Sequence, residues 1–226
     1  MIILIVPGSL RRPVIALALA LTTPIASLAA QVLADVCRPL EQPVVGSWAR
    51  YRLHGGAADS SEVRMALVGR EGIADREYVW QESVVTTPTG NAVIQSLVPA
   101  SPYDPTALQR AIVRPPGQPP VEVPSTALAR LQIAGGEGSV GLDACRQGEV
   151  VGWETVTVPA GQVRALHVRY VRAERTADAW LAPGIPFALT RAVITGATPA
   201  ERVELELMAH GRDATPTMPL PGPPRP

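Results

Sequence analysis

Apolar and polar residues alternate along most of the chain with a period of two, which is typical of strands that bury one face. Over residues 45–53, for example, Ala49 and Tyr51 share one face while Arg50 and Arg52 share the other. The same pattern recurs in eight further segments, at residues 63–68, 77–85, 92–98, 149–158, 162–172, 177–182, 187–195 and 202–210. Most of the turns between them are short. We therefore predict a mainly β fold with about nine antiparallel strands in a single curved sheet, a sandwich or a barrel.

Two stretches depart from this alternation. In residues 31–40 the apolar positions recur every three to four residues, which predicts a short N-terminal helix. Residues 99–124 hold eight Pro, and this Pro-rich insertion is either a lid or specificity element or a plain connection between two halves of the sheet. We predict short helices over residues 105–113 and 125–133, followed by a Gly-rich loop over residues 134–139.

Residues 1–30 have the composition of an export signal. Two Arg precede an apolar run over residues 14–21, and small residues then allow cleavage after Ala29 or Ala30. The run is shorter than the ~20 residues that span a bilayer. We therefore predict a periplasmic or secreted protein whose single β-rich domain covers residues 31–213.

The chain has two cysteines, Cys37 and Cys145. An even number of cysteines in an exported chain predicts a disulfide, and only this pairing is possible within one chain. The C-x-x-C spacing of a redox pair is absent, which favours a structural bond. The bond would tie the N-terminal helix to the middle of the domain.

The C-terminal residues 214–226 contain six Pro. Because Pro fixes φ and removes a backbone donor, this composition predicts a disordered or polyproline II tail. Such a tail is either a ligand for another protein of the cell envelope or a solvated terminus without a specific role.

Charge and composition narrow the function classes. The 20 basic residues, all of them Arg, balance 20 acidic ones, which argues against nucleic-acid binding. The three histidines, His54, His167 and His210, are scattered singly and form no metal-ligand spacing, and no nucleophile motif or phosphate-binding loop occurs. We expect a protein without cofactor, metal or catalytic activity. The expected partners are a lipid or lipoprotein acyl chain, or an envelope protein that binds the Pro-rich tail, and we expect a monomer.

Bulky side chains in the strands are the candidate ligand-binding residues. Trp80, Trp153 and Trp180 lie in predicted strands, and Tyr170 and Leu166 share a strand face. Together they would line one concave surface. Core packing is the alternative use of such side chains.

Three stretches of the second half carry a family resemblance. They are residues 154–161 (ETVTVPAG), residues 179–187 (AWLAPGIPF) and a closing strand that ends in residues 211–213 (GRD). They resemble exported bacterial domains of unknown function, which are similar to the lipoprotein-localisation factors of the LolA/LolB-like half-barrel superfamily. The resemblance implies an unclosed antiparallel barrel around short helices, with an apolar concavity for acyl chains, and it carries over no catalytic residues.

Three functional hypotheses follow. The first is an exported binding protein that holds a lipid, a lipoprotein acyl chain or another amphipathic ligand in a half-barrel concavity. The second is a structural or protein-interaction module of the cell envelope whose concavity is a filled core. The third is a hydrolase that uses His167 or His210 with a nucleophile brought close by folding.

Overall fold

The structure, a computed structural model, describes residues 25–41, 44–55, 61–88, 90–128, 140–172, 175–198 and 201–222. Within them lie the helices α1 (Ile25–Glu41) and α2 (Val140–Gln147), and residues 125–128 are helical as well. The strands are β1 (Trp48–Gly55), β2 (Ser61–Ile73), β3 (Arg76–Thr87), β4 (Gly90–Pro99), β5 (Arg110–Arg114), β6 (Val121–Glu122), β7 (Glu149–Val158), β8 (Gly161–Arg172), β9 (Arg175–Leu181), β10 (Leu189–Thr195) and β11 (Val203–Gly211).

All eleven strands belong to one open sheet in the order β6-β5-β4-β3-β2-β1-β11-β10-β9-β8-β7. Every pairing is antiparallel. The prediction of a mainly β fold built on a single antiparallel sheet is confirmed, with eleven strands among the described residues where the sequence indicated about nine. The first four strands, β1 to β4, are neighbours in chain order.

The predicted helix over residues 105–113 is wrong. β5 begins at Arg110 and pairs with β4, with Ile112 opposite Gln95 and Ala111 opposite Ser96. Ala111 and Ile112 are both buried, so pairing and burial in the sheet outweigh the helix-start signal of Pro105. The Pro-rich insertion therefore extends the sheet by β5 and β6 instead of leaving it.

The predicted N-terminal helix is confirmed as α1, which is longer than expected at its N-terminal end. Residues 125–128 are helical, in line with the helix predicted there, and the remainder of that helix and the Gly-rich loop lie outside the described residues. α2 was not predicted from the sequence. The export signal falls largely on residues 1–24, which are also outside the described part, and it stays a prediction.

The sheet has an inner and an outer face, and the outer face is buried over β2 to β5. The inner face packs against α1 and α2 around a large apolar core whose fully buried members include Tyr51, Leu166, Leu181 and Leu207. The outer face of β2 to β5 carries a second, smaller cluster that includes Trp80, Val93, Leu97 and Ile112. The inner face is therefore buried against the two helices. Over β2 to β5 the outer face is buried against residues 214–222.

Of the two conformations predicted for the tail, disordered or polyproline II, the disordered one is wrong for residues 214–222. Met218 is 3% exposed and joins the outer cluster, and the Ala214 N–H donates to the Gly46 carbonyl at 2.8 Å. The apolar Met218 and Leu220 between the prolines give this segment a face to bury, which the count of Pro alone concealed. Residues 223–226 lie outside the described residues.

The predicted disulfide is confirmed. Cys37 on α1 is bonded to Cys145 on α2, with their Cα atoms 5.8 Å apart across a sequence separation of 108 residues. It fastens the two helices to each other over the inner face. No helix among the described residues has the length and apolar character needed to span a bilayer.

Candidate clefts beside the N-terminal helix

α1 packs against the inner face because its apolar side chains form one stripe along the helix. Val36 and Leu40 are buried in the inner core, and Val32 and Leu33 pack against it. The stripe follows the spacing of three and four residues that places side chains on one side of a helix. α1 does not cover the whole inner face, and two clefts open to solvent lie beside the helix.

The first cleft has a volume of about 310 Å³. It lies between the C-terminal half of α1, the chain that leads into β1, and the turn that precedes β10. Its lining is mostly apolar, with two guanidinium groups. The lining residues are Asp35, Arg38, Leu40, Val44, Ser47, Leu67, Tyr103, Gly184, Ile185, Pro186, Phe187 and Arg212.

The second cleft has a volume of about 390 Å³ and lies between α1, α2 and residues 102–103. The Cys37–Cys145 disulfide lines it, so the bond that joins the helices also borders the space between them. The other lining residues are Ala30, Leu33, Ala34, Leu40, Pro102, Tyr103, Leu142 and Arg146. Among the described residues that line it, Arg146 alone is charged.

Leu40 and Tyr103 border both clefts and also a gap of about 20 Å³ in the core. The gap shares Phe187 with the first cleft and Leu142 with the second. The two clefts are thus separated by a few apolar side chains.

The turn before β10 is held in an uncommon backbone conformation. Phe187 and Ala188 have φ of 61° and 55°, in the left-handed region. Tyr51 stabilises the turn, since its hydroxyl donates to the Leu189 carbonyl at 3.1 Å and lies 3.5 Å from the Pro186 carbonyl. Burial raises the pKa of the Tyr51 hydroxyl, which stays a donor. This arrangement directs Phe187 into the first cleft.

Guanidinium groups stand at the rims of both clefts. Arg38 forms an ion pair with Asp35 and both side chains are mostly exposed, while Arg212 is exposed. At the second cleft the Arg146 guanidinium lies 3.7 Å from Asp104. Partial burial alone would raise the pKa of Asp104, but hydrogen bonds from Thr106 and the nearby Arg146 charge hold it below its ordinary value.

None of the five predicted ligand-binding residues lines these clefts. Trp80 is in the outer cluster, and Leu166 and Tyr170 are buried in the inner core. Trp153 is 41% exposed on β7, and its ring lies under the Arg164 guanidinium. Trp180 stacks on His167 with ring centroids 4.6 Å apart. The structure therefore does not bring these side chains to one surface.

His167 stands between two carboxylates. Its Nδ1 lies 3.0 Å from Glu154 Oε1 and its Nε2 lies 2.7 Å from Asp178 Oδ1. Hydrogen bonds from Trp180 and His167 hold the pKa of Glu154 below its ordinary value. At Asp178, partial burial alone would raise the pKa of the carboxyl group. Hydrogen bonds from Arg169 and His167 outweigh it and hold that pKa below its ordinary value. Carboxylates occupy both ring nitrogens, so neither is left to activate a nucleophile.

The other two histidines lie apart from this cluster. His54 is 3.6 Å from Glu206, and His210 is exposed on β11. Within the described residues no group of three or more histidine, cysteine, aspartate or glutamate side chains is arranged to hold a metal ion.

The cleft residues that the sequence analysis missed come from segments far apart in the chain. Arg38 lies on α1, Tyr103 follows β4, Phe187 precedes β10 and Arg212 follows β11. No short motif joins them, so only the fold places them together. The one available signal was the apolar stripe of α1, which indicated a helix with an inner side to cover.

No protein-family model matches the chain, and no curated protein matches it in sequence. Solved structures with a similar arrangement include a DUF1329 family protein from Desulfovibrio piger, 9% identical, over 82% of this chain and 93% of that chain, with a TM-score of 0.41. LprF from Mycobacterium bovis is 13% identical over 87% of this chain and 98% of its own, with a TM-score of 0.38.

A third similar structure is a Bacteroides fragilis protein described as exported and as having a YmcC-like fold. It is 12% identical over 75% of this chain and 98% of its own, with a TM-score of 0.39.

Proposed function

We propose that this chain is an exported binding protein of the cell envelope that holds an amphipathic, anionic ligand in the two clefts beside α1. One observation carries the proposal: each cleft combines a mostly apolar lining with guanidinium groups at its rim. An acyl chain would remove the apolar lining from water, and a carboxylate or phosphate would pair with Arg38 or Arg212. We propose that the protein acts by binding and not by catalysis.

The dimensions of the clefts support a chain-like ligand. Their volumes of about 310 and 390 Å³ fall at the lower end of the range typical of small-molecule sites. Leu40 and Tyr103 are common to both, so one bent chain or two separate chains would contact the same pair of side chains.

Extraction of the protein after export tests the proposal. The chain is produced with its own N-terminal segment, purified from the periplasm and extracted with organic solvent, and the extract is analysed by mass spectrometry. We expect an anionic amphiphile in stoichiometric amount from the unchanged protein. Arg212→Glu is expected to reduce the recovered amount several-fold, because it reverses a charge at the first cleft.

Arg76→Glu is the matched control, since Arg76 is exposed in β3 away from both clefts. It should leave the recovered amount unchanged. Recovery of no amphiphile from the unchanged protein, or equal losses for the two charge reversals, would contradict the proposal.

A protein-interaction role is the second candidate. The observation that favours it is the outer face of β2 to β5, against which residues 214–222 of the chain already pack. It concerns a different face of the sheet and does not compete with ligand binding in the clefts.

A further inference from the structure

The outer face of β2 to β5 forms a groove that holds residues 214–222. We call it the outer groove and define it by Trp80, Glu82, Val93, Gln95 and Leu97. Met218 is buried against its apolar members, and Leu220 packs at its side. Within the described residues, the segment joins no strand ladder of the sheet. At its start the Ala214 N–H donates to the Gly46 carbonyl, and from Thr217 to Gly222 its hydrogen bonds are made with side chains of the sheet.

Glu82 is the centre of the recognition. Its side chain is fully buried, and its carboxylate accepts the Thr217 N–H at 2.9 and 3.0 Å and the Thr217 hydroxyl at 2.6 Å. Gln95 Nε2 donates to the same carboxylate at 3.0 Å. A buried carboxylate is costly unless hydrogen bonds satisfy it. A segment that only covered apolar surface would need no such group.

Gln95 also forms a hydrogen bond with the backbone of the segment. Its Nε2 donates to the Met218 carbonyl at 2.9 Å, so the groove contacts the backbone on both sides of the Thr217–Met218 peptide bond. Gln95 Oε1 is buried and has no hydrogen-bond partner among the described residues. The groove thus holds an acceptor that the resident segment does not use, and three of the nine resident residues are Pro without an N–H group.

The ends of the groove are shaped for the same segment. A Cβ atom at Gly69 would lie 2.5 Å from Leu220 Cδ1, so the absence of a side chain there makes room for Leu220. At the far end Arg110 lies over the Trp80 ring and its Nη1 donates to the Gly222 carbonyl at 3.4 Å.

We propose that the outer groove is a recognition site for a proline-flanked peptide that bends at a Thr-Met pair, as residues 217 and 218 do here, and that residues 214–222 are its built-in competitor. A partner protein with a stretch of this chemistry displaces the resident segment. Affinity comes from burial of the Met side chain, and selectivity comes from Glu82 and Gln95.

Peptide binding in trans tests the proposal. The probe is a fluorescently labelled peptide of residues 214–222, titrated by anisotropy into a chain truncated after Asp213 and into the full chain. We expect saturable binding to the truncated chain and at least tenfold weaker binding to the full chain, whose groove is filled. Glu82→Gln in the truncated chain should weaken binding at least tenfold.

Glu77→Gln is the matched control, because Glu77 lies on the same strand with a 54% exposed side chain paired to Arg70. It should leave the affinity unchanged. The proposal is overturned if a truncated chain with cooperative unfolding shows no saturable binding, or if the full chain binds the peptide equally well.

A second variant covers a truncated chain that does not fold. A specific protease site inserted between Arg212 and Asp213 of the full chain lets the protein fold before the segment is cut. We expect the cut segment to stay bound and to exchange with the labelled peptide. A segment that leaves on cutting, without uptake of the labelled peptide, overturns the proposal.

Discussion

At the scale of single residues, each tryptophan of the chain carries an arginine over its ring. Guanidinium carbons lie 5.1 to 5.6 Å from the ring centroids in the pairs Arg64–Trp48, Arg110–Trp80, Arg164–Trp153 and Arg191–Trp180. A planar guanidinium stacks on an aromatic face better than an ammonium does, and the chain has no Lys. The tryptophans are therefore capped on sheet surfaces instead of being gathered around one ligand.

The contacts of Asp178 predict an acid-sensitive contribution to stability. A carboxyl group whose pKa is lower in the folded than in the unfolded chain stabilises the fold above its unfolded pKa, and this contribution is lost as the pH falls through the folded pKa. Asp178 fits this case. We expect Asp178→Asn to be less stable than the unchanged protein at pH 6, with a smaller further loss between pH 6 and pH 3.

Urea unfolding at the two pH values measures these differences. Asp75→Asn is the control, because Asp75 is exposed in the turn between β2 and β3. If Asp178→Asn and Asp75→Asn gave the same change between pH 6 and pH 3, the assigned role of the Arg169 and His167 contacts would be wrong.

At the scale of elements, period-two alternation was enough to predict most strands, since one buried face leaves a direct trace in the sequence. β5 was not predicted because Pro105, at the start of a short segment, resembles the first residue of a helix. The segment is a strand because it pairs with β4, which lies outside the local sequence. α2 was missed because its eight residues include Gly141 and Asp143 and show no long apolar stripe. Met218 and Leu220 became informative only once the outer groove was known.

The clefts could not be predicted because they lie between elements. The alternation gives the faces of strands, but it does not say how far α1 reaches across the inner face or where the turn before β10 lies. The bulky side chains of the strands were natural candidates for a concave surface, yet Leu166 and Tyr170 fill the core beneath the helices. The local pattern of apolar and polar residues therefore predicted the strands but not the clefts between the elements.

The disulfide between α1 and α2 predicts a large loss of stability on its removal. Closing a loop of about a hundred residues is worth up to ~4.7 kcal/mol in the chain-entropy model. We expect the Cys37→Ser, Cys145→Ser double variant to lose about 3 to 5 kcal/mol of unfolding free energy in urea.

Reduction of the unchanged protein should reproduce that loss, and reduction of the double variant should change nothing. A double variant as stable as the oxidised protein would show that α1 is held by its apolar stripe alone.

At the scale of the whole molecule, an open sheet leaves two faces to be covered, and the chain covers them differently. The inner face receives two helices that leave clefts at their sides, whereas the outer face of β2 to β5 receives residues 214–222 in a closely fitted groove. The two candidate sites lie on opposite faces of one sheet. Loss of binding at one of them is therefore separable from loss at the other.

The central claim is that the clefts beside α1 bind an amphipathic ligand, and titration with a dansyl-labelled fatty acid tests it most directly. Ala34→Trp places a bulky ring in the second cleft, which Ala34 lines. Val171→Trp adds the same ring at a 65% exposed position of β8 outside the clefts. We predict saturable binding by the unchanged protein, at least tenfold weaker binding by Ala34→Trp and unchanged binding by Val171→Trp. No saturable binding by the unchanged protein, or equal affinity in all three, would contradict the account.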